Sequence, residues 1–202
     1  MAAATPAITW GLDYDAAQFI PLPAAGEGAE HPDGARAWID TVISHYESSA
    51  PLTDGDRQGL AVTAEALLTM IEPFVTRLWF APPGVYSDVL VSVVVTDLEG
   101  DSAREIIAEV TASPESTASD GVAVETDSHG SGILVRRTTG VQPEDGRALL
   151  VAQWDLLLQN GAVLIAINAM GTTLPVFARL EEELMGLVEG IVLPAGSGTD
   201  AK

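Results

Sequence analysis

Residues 85–96 read VYSDVLVSVVVT, and their apolar side chains fall on both faces of an extended chain. Val89, Val91, Val93 and Val95 share one side at period two, while Tyr86, Leu90 and Val94 share the other. A strand apolar on one face can lie over a core with its other face in water. A strand apolar on both must be covered on both.

A second pair of such segments follows. Residues 148–158 and 162–169 flank Asn160-Gly161, a dipeptide that tolerates the positive φ angles of a type I′ turn, so they are expected to form an antiparallel hairpin. Shorter strands are predicted at 75–80, 122–126 and 132–138. Pro82-Pro83-Gly84 and Ser128-His129-Gly130-Ser131 supply the connecting turns.

Helical spacing supplies the cover. Trp38, Ile39, Val42, Ile43 and Tyr46 lie on one face of a first helix opened by Asp33 or Gly34 and stopped by Pro51. Thr53 and Asp54 can cap a second, whose stripe is Leu60, Ala64, Leu67, Leu68 and Ile71 before Pro73. Ser102 to Glu105 has capping-box spacing for a third, over 102–110. Thr172 or Thr173 can cap a last one, with Phe177, Leu180, Leu184, Leu187, Val188 and Ile191 inward and Glu181 to Glu183 outward.

The order helix, helix, strand, strand, helix, four strands, helix leaves too few helices for a parallel doubly wound sheet. The expected fold is α+β, an antiparallel sheet of about six strands flanked by helices on both faces. Residues 1–32 are expected to form an extended arm in which Trp10, Tyr14, Phe19 and Ile20 are isolated anchors. Residues 33–193 would be the single domain and 194–202 a flexible tail.

The strand VLVSVVVTDLEGD leading into SAREIIAEV, and the hairpin ALLVAQWDLLLQNGAVLIAINAM leading into TTLPVFARLEEELMGLVEGI, carry a family resemblance. Over 74–193 the chain resembles the PsbP-like α/β/α sandwich, the fold of a photosystem accessory subunit and of a Ran-binding import factor. It is also similar to small actinobacterial members of that superfamily, some of them lipoproteins. The resemblance implies an adaptor or accessory role and transfers no catalytic residue. Those lipoproteins carry a lipidated cysteine, and this chain has none.

Charge and composition narrow the function. Twenty-nine acidic residues against nine basic ones give a net charge of −20, a field that repels nucleic acid and anionic membranes. Apolar residues make up 47% of the chain, enough for a substantial core. The first fifteen residues lack a basic region followed by an unbroken apolar run, so cytoplasmic residence is the expectation, without membrane insertion.

No chemical motif stands out. His129-Gly130-Ser131-Gly132 has no nucleophile elbow to serve, and Asp97, Glu99 and Asp101 do not follow the calcium-loop pattern. His31 falls in a proline-containing loop and His45 near a helix carboxyl end. Asp13-Tyr14-Asp15 and Asp54-Gly55-Asp56 read as a turn and a cap. No cofactor, metal or catalytic residue is assigned.

The candidate partner-binding residues are Trp10, in the leading arm, and Arg136 and Arg137, adjacent in a predicted strand of an acidic protein. The expected function is a non-catalytic interaction or accessory protein whose partner is another protein. The alternative is a small-molecule binder or enzyme with its site between the sheet and the first two helices.

Overall fold

The computed structural model describes residues 8–25, 32–98, 105, 106, 108, 118–142 and 148–194. The elements in chain order are β1 (Gly11–Leu12), β2 (Phe19–Pro21), α1 (Pro32–Glu47), α2 (Asp54–Leu68), β3 (Thr76–Phe80), β4 (Leu90–Asp97), β5 (Ala118–Thr126), β6 (Gly130–Val141), β7 (Leu149–Asn160), β8 (Val163–Gly171), α3 (Phe177–Glu189) and β9 (Ile191–Val192). The predicted helix over 102–110 falls mostly outside the described residues, of which 105, 106 and 108 are helical. The predicted tail lies outside them from residue 195 onward.

The fold is α+β, with an antiparallel sheet in the order β2-β3-β4-β8-β7-β6-β5. It has seven strands where about six were expected. The added strand is β2, from the arm read as irregular. Phe19 and Ile20 point to opposite faces of the sheet and are both buried, Phe19 against Phe80 at 5.2 Å between ring centres. Three residues are too few to show a period, so the strand was visible in the sequence only as two anchors.

Helices cover both faces. Trp79 and Leu90 lie opposite one another on the face under α1 and α2, where Trp38, Val42, Tyr46, Leu60, Ala64 and Leu67 close over them. Leu78 and Phe80, one residue out of step with Trp79, join Val91, Val93, Leu156, Ile165 and Ile167 beneath Leu180, Leu184 and Leu187 of α3. The two-sided apolar pattern of β4 is satisfied in this way.

Several boundaries differ from the sequence reading. β4 begins at Leu90 rather than 85, because 85–88 close over the sheet end, where Trp79 Nε1 donates to the Ser87 carbonyl at 2.9 Å and the Val89 amide donates to Ser87 Oγ at 3.1 Å. α2 stops at Leu68, before the predicted Ile71. β5 starts at Ala118 rather than 122, and β6 extends to Val141 rather than 138.

The β7–β8 hairpin is present with a different turn. Its register closes at Asn160 and Val163, so the loop is Gly161-Ala162, and only Gly161 has positive φ, at 60°. Positive φ at the first central residue alone, with glycine there, is the type II′ pattern rather than I′.

The start of the last helix is held from a distance. Leu174–Val176 form a 3-10 turn before α3, and Thr173 gives no side-chain cap. Instead Asp88 accepts from the Thr172 amide at 3.0 Å, the Thr173 amide at 2.8 Å and the Thr172 hydroxyl. Burial alone would raise the Asp88 carboxyl, but these donors hold it below its ordinary value of 3.8.

A group whose folded pKa is depressed stabilises above its unfolded pKa and loses that contribution as pH falls through the folded value. Asp88→Ala is therefore expected to cost about 2 kcal/mol near neutrality, mostly from stranded donors. In urea melts the gap between this variant and the parent should shrink below about pH 4. A gap independent of pH would mean that the carboxylate charge is not involved.

Candidate partner-binding site

Pro73-Phe74 forms the turn between α2 and β3, and Phe74 has a φ of 64°. Proline at the second turn position followed by positive φ at the third is the type II arrangement, whose third position belongs to glycine or asparagine. A bulky side chain in the left-handed region costs about 1–2 kcal/mol. Phe74 gains no burial in return, since it is 91% exposed. It is the single non-glycine residue with positive φ among those described.

Phe74 borders a surface groove of about 470 Å³. Pro73, Val75 and Glu72 continue that wall, and Trp10 and Leu12 from the leading arm line the groove with them. Leu12 is fixed by the pairing of β1 with β9, opposite Ile191, and the Asp13 amide donates to the Gly190 carbonyl at 2.8 Å. Trp10, half-buried, packs against the core under α3. Arg77 reaches Glu72 at 3.0 Å and steadies the acidic rim.

Trp10 and the two candidate arginines are not brought together, since neither arginine lines this groove. Period two sends Arg136 and Arg137 to opposite faces of β6. Arg136, under α3, pairs with Glu181 and stacks over Trp154 at 5.0 Å from the ring centre. Arg137, on the face shared with Trp79, pairs with Asp155, and the two side chains are 11% and 12% exposed. Asn168 Nδ2 donates to Asp155 at 2.7 Å and Gln153 Nε2 at 3.1 Å, so this carboxylate gathers three donors.

The other candidates have local partners. His45 Nε2 donates to the Ala81 carbonyl at 2.9 Å, tying α1 to the sheet. His129 is buried and its Nε2 donates to the Ile191 carbonyl at 3.0 Å. Beside it Glu189 accepts from the Asp127 and Ser128 amides at 2.8 and 3.1 Å, bonds that hold its carboxyl below the usual range. The tip of the β5–β6 hairpin is thereby bound to the end of α3.

Asp56 and Thr53 form the capping box of α2, and Asp15 accepts from the Ala17 amide at 2.8 Å in a turn. His31, Glu99 and Asp101 lie outside the described residues. Among the described residues no group of three His, Asp or Glu side chains is placed to hold a metal ion, and no helix is long and apolar enough to cross a membrane.

Phe74 is not among the residues that the sequence patterning singles out. Its signal was a proline followed by a residue other than glycine or asparagine before a strand, which shows strain only once the turn type is known. No protein-family model matches the chain, and comparison with curated proteins finds no relative.

Proposed function

We propose that this chain is a non-catalytic accessory protein that binds another protein through the groove between Trp10 and Phe74. The occupant is an apolar anchor side chain on a partner segment flanked by lysine or arginine. The carrying observation is Phe74, strained at φ 64° and 91% exposed, two costs that folding alone does not repay. The basic flank follows from Glu72 on the rim and the net charge of −20, which steers cationic partners and repels anionic ones. The resemblance of residues 74–193 to a family rich in adaptors supports the same reading.

Phe74→Asn separates binding from folding, because asparagine tolerates positive φ and exposes no ring. Its melting temperature is expected to equal or exceed that of the parent, by about 1 kcal/mol of relieved strain. Cross-linked capture from the native host at low salt is expected to yield a basic partner with the parent chain and at least tenfold less with Phe74→Asn. That capture should weaken as salt rises. Equal capture by both chains, recovery of self-associated chains alone, or a lower melting temperature for Phe74→Asn would each defeat the proposal.

A further inference from the structure

The Asn160-Gly161 dipeptide that turns β7 into β8 carries chemistry of its own. The amide nitrogen of the residue after an asparagine can attack the side-chain carbonyl carbon and close a five-membered succinimide ring. A side chain on that next residue crowds the nitrogen, and glycine has none. Asn160 and Asn168 are the two asparagines of the chain, and Asn168 is followed by Ala169.

The fold separates the two further. Asn168 lies within β8 and donates to Asp155 at 2.7 Å, with Ala169 fully buried after it. Asn160 is half-buried at the last rung of β7, opposite Val163, and its Nδ2 reaches the Ser128 carbonyl only at 3.4 Å, beyond the usual range of a hydrogen bond.

Gly161 presents the nucleophile. It is exposed, and its amide donates to nothing among the described residues. The carbonyls of the turn are held, by Gln159 Nε2 on Gly161 at 3.1 Å and by the Leu98 amide on Ala162 at 2.7 Å. Gly161 also borders an open hollow of about 440 Å³ with Gln159 and Ser131, through which water reaches the turn.

We infer that Asn160 is a self-modification site, where the Gly161 amide displaces ammonia from the Asn160 side chain and water completes the conversion to aspartate or isoaspartate. The Gly161 nitrogen bonds to Asn160 Cγ, the Cγ–Nδ2 bond breaks, and the amide proton leaves with Nδ2 as ammonia. Water then opens the ring at Cγ to give aspartate, or at the main-chain carbonyl to give isoaspartate. Nothing is oxidised or reduced, and water is the sole co-reactant.

The product changes a junction between two hairpin tips. Asn160 touches the Ser128 carbonyl, while the Ser128 and Asp127 amides donate to Glu189 of α3. A carboxylate at 160 cannot donate to that carbonyl, and it adds negative charge to a corner that already holds Asp127 and Glu189. Isoaspartate also lengthens the main chain at the last rung of the ladder. Either product loosens the tip of the β5–β6 hairpin.

The test is to incubate the full-length chain at neutral pH for days, folded and in urea, and to assign each converted asparagine from fragment masses. Conversion is expected at Asn160 in both samples, slower in the folded one and faster as pH rises, with Asn168 intact in the folded chain. Asn160→Gln, whose ring would need a sixth member, should block it. Asn160→Asp, the product itself, is expected to melt about 2–4 °C below the parent, from the lost donor and the added charge. An Asn160 that stays intact in the folded chain while it converts in urea, or equal conversion at Asn168 in the folded chain, would overturn the site. An Asn160→Asp chain that melts with the parent would overturn the loosening.

Discussion

Asp155→Ala is expected to lower the unfolding free energy by about 3–5 kcal/mol, read as a shifted urea midpoint at unchanged slope. Asp155 lies near the middle of β7, nearly buried, and Arg137, Gln153 and Asn168 all donate to it. Removing the carboxylate leaves the Arg137 guanidinium buried, charged and without its counter-ion, at a place where the Arg137 Nε already lacks a partner. Most of the cost is that stranded charge rather than the lost attraction. Asp155→Leu combined with Arg137→Met should therefore recover most of the stability that Asp155→Ala loses. A loss below about 1 kcal/mol, the range of exposed pairs, would show that Arg137 is solvated and open to a partner after all.

Asp155 also shows where a sequence reading of this chain succeeds and where it stops. The Asn160-Gly161 dipeptide divides the apolar stretch around Asp155 into two expected strands, and β7 and β8 are those strands. Asp155 itself lies before the turn, opposite Val135 in the register, and it meets Arg137 diagonally, since the ladder sets Arg137 opposite Gln153. Turn chemistry is local and can be read from neighbouring residues. Pairing of a buried charge depends on which strand lies alongside, and β6 precedes β7 across residues that carry no period.

The helices were legible for the opposite reason. Trp38, Val42 and Tyr46 bury at helical spacing, as do Leu180, Leu184 and Leu187, because each stripe depends only on its own helix and on an apolar surface to meet. Their ends were less so. Residue 88 caps the approach to residue 177, a contact across the fold that no Thr172 or Thr173 pattern discloses. The groove was legible at one wall alone, since Trp10 is an aromatic in an arm, whereas Phe74 becomes notable only through a backbone angle.

The arm that carries Trp10 is held at a point where glycine is required, and this allows the groove's two walls to be tested separately. At Gly190 an added Cβ would lie 2.0 Å from the Asp13 carbonyl oxygen and 2.9 Å from its carbon, both backbone atoms that do not swing aside. Gly190→Ala must therefore push β1 away from the end of α3, breaking the 2.8 Å Asp13–Gly190 bond and the pairing of Leu12 with Ile191. Overpacking usually costs 1–3 kcal/mol, and with backbone on both sides about 3 kcal/mol is expected here. Gly186→Ala is the control, one turn earlier in the same helix, where an added Cβ meets nothing within 4 Å. That change should stabilise by about 0.5–1 kcal/mol through helix propensity. Trp38, Trp79 and Trp154 are buried, so the gain in acrylamide quenching expected for Gly190→Ala reports chiefly on Trp10 leaving its place. Partner capture should fall with it, although Phe74 is untouched and the seven-stranded sheet remains. If Gly190→Ala behaves like Gly186→Ala in both stability and quenching, the arm is not seated against α3 and the groove has only its Phe74 wall.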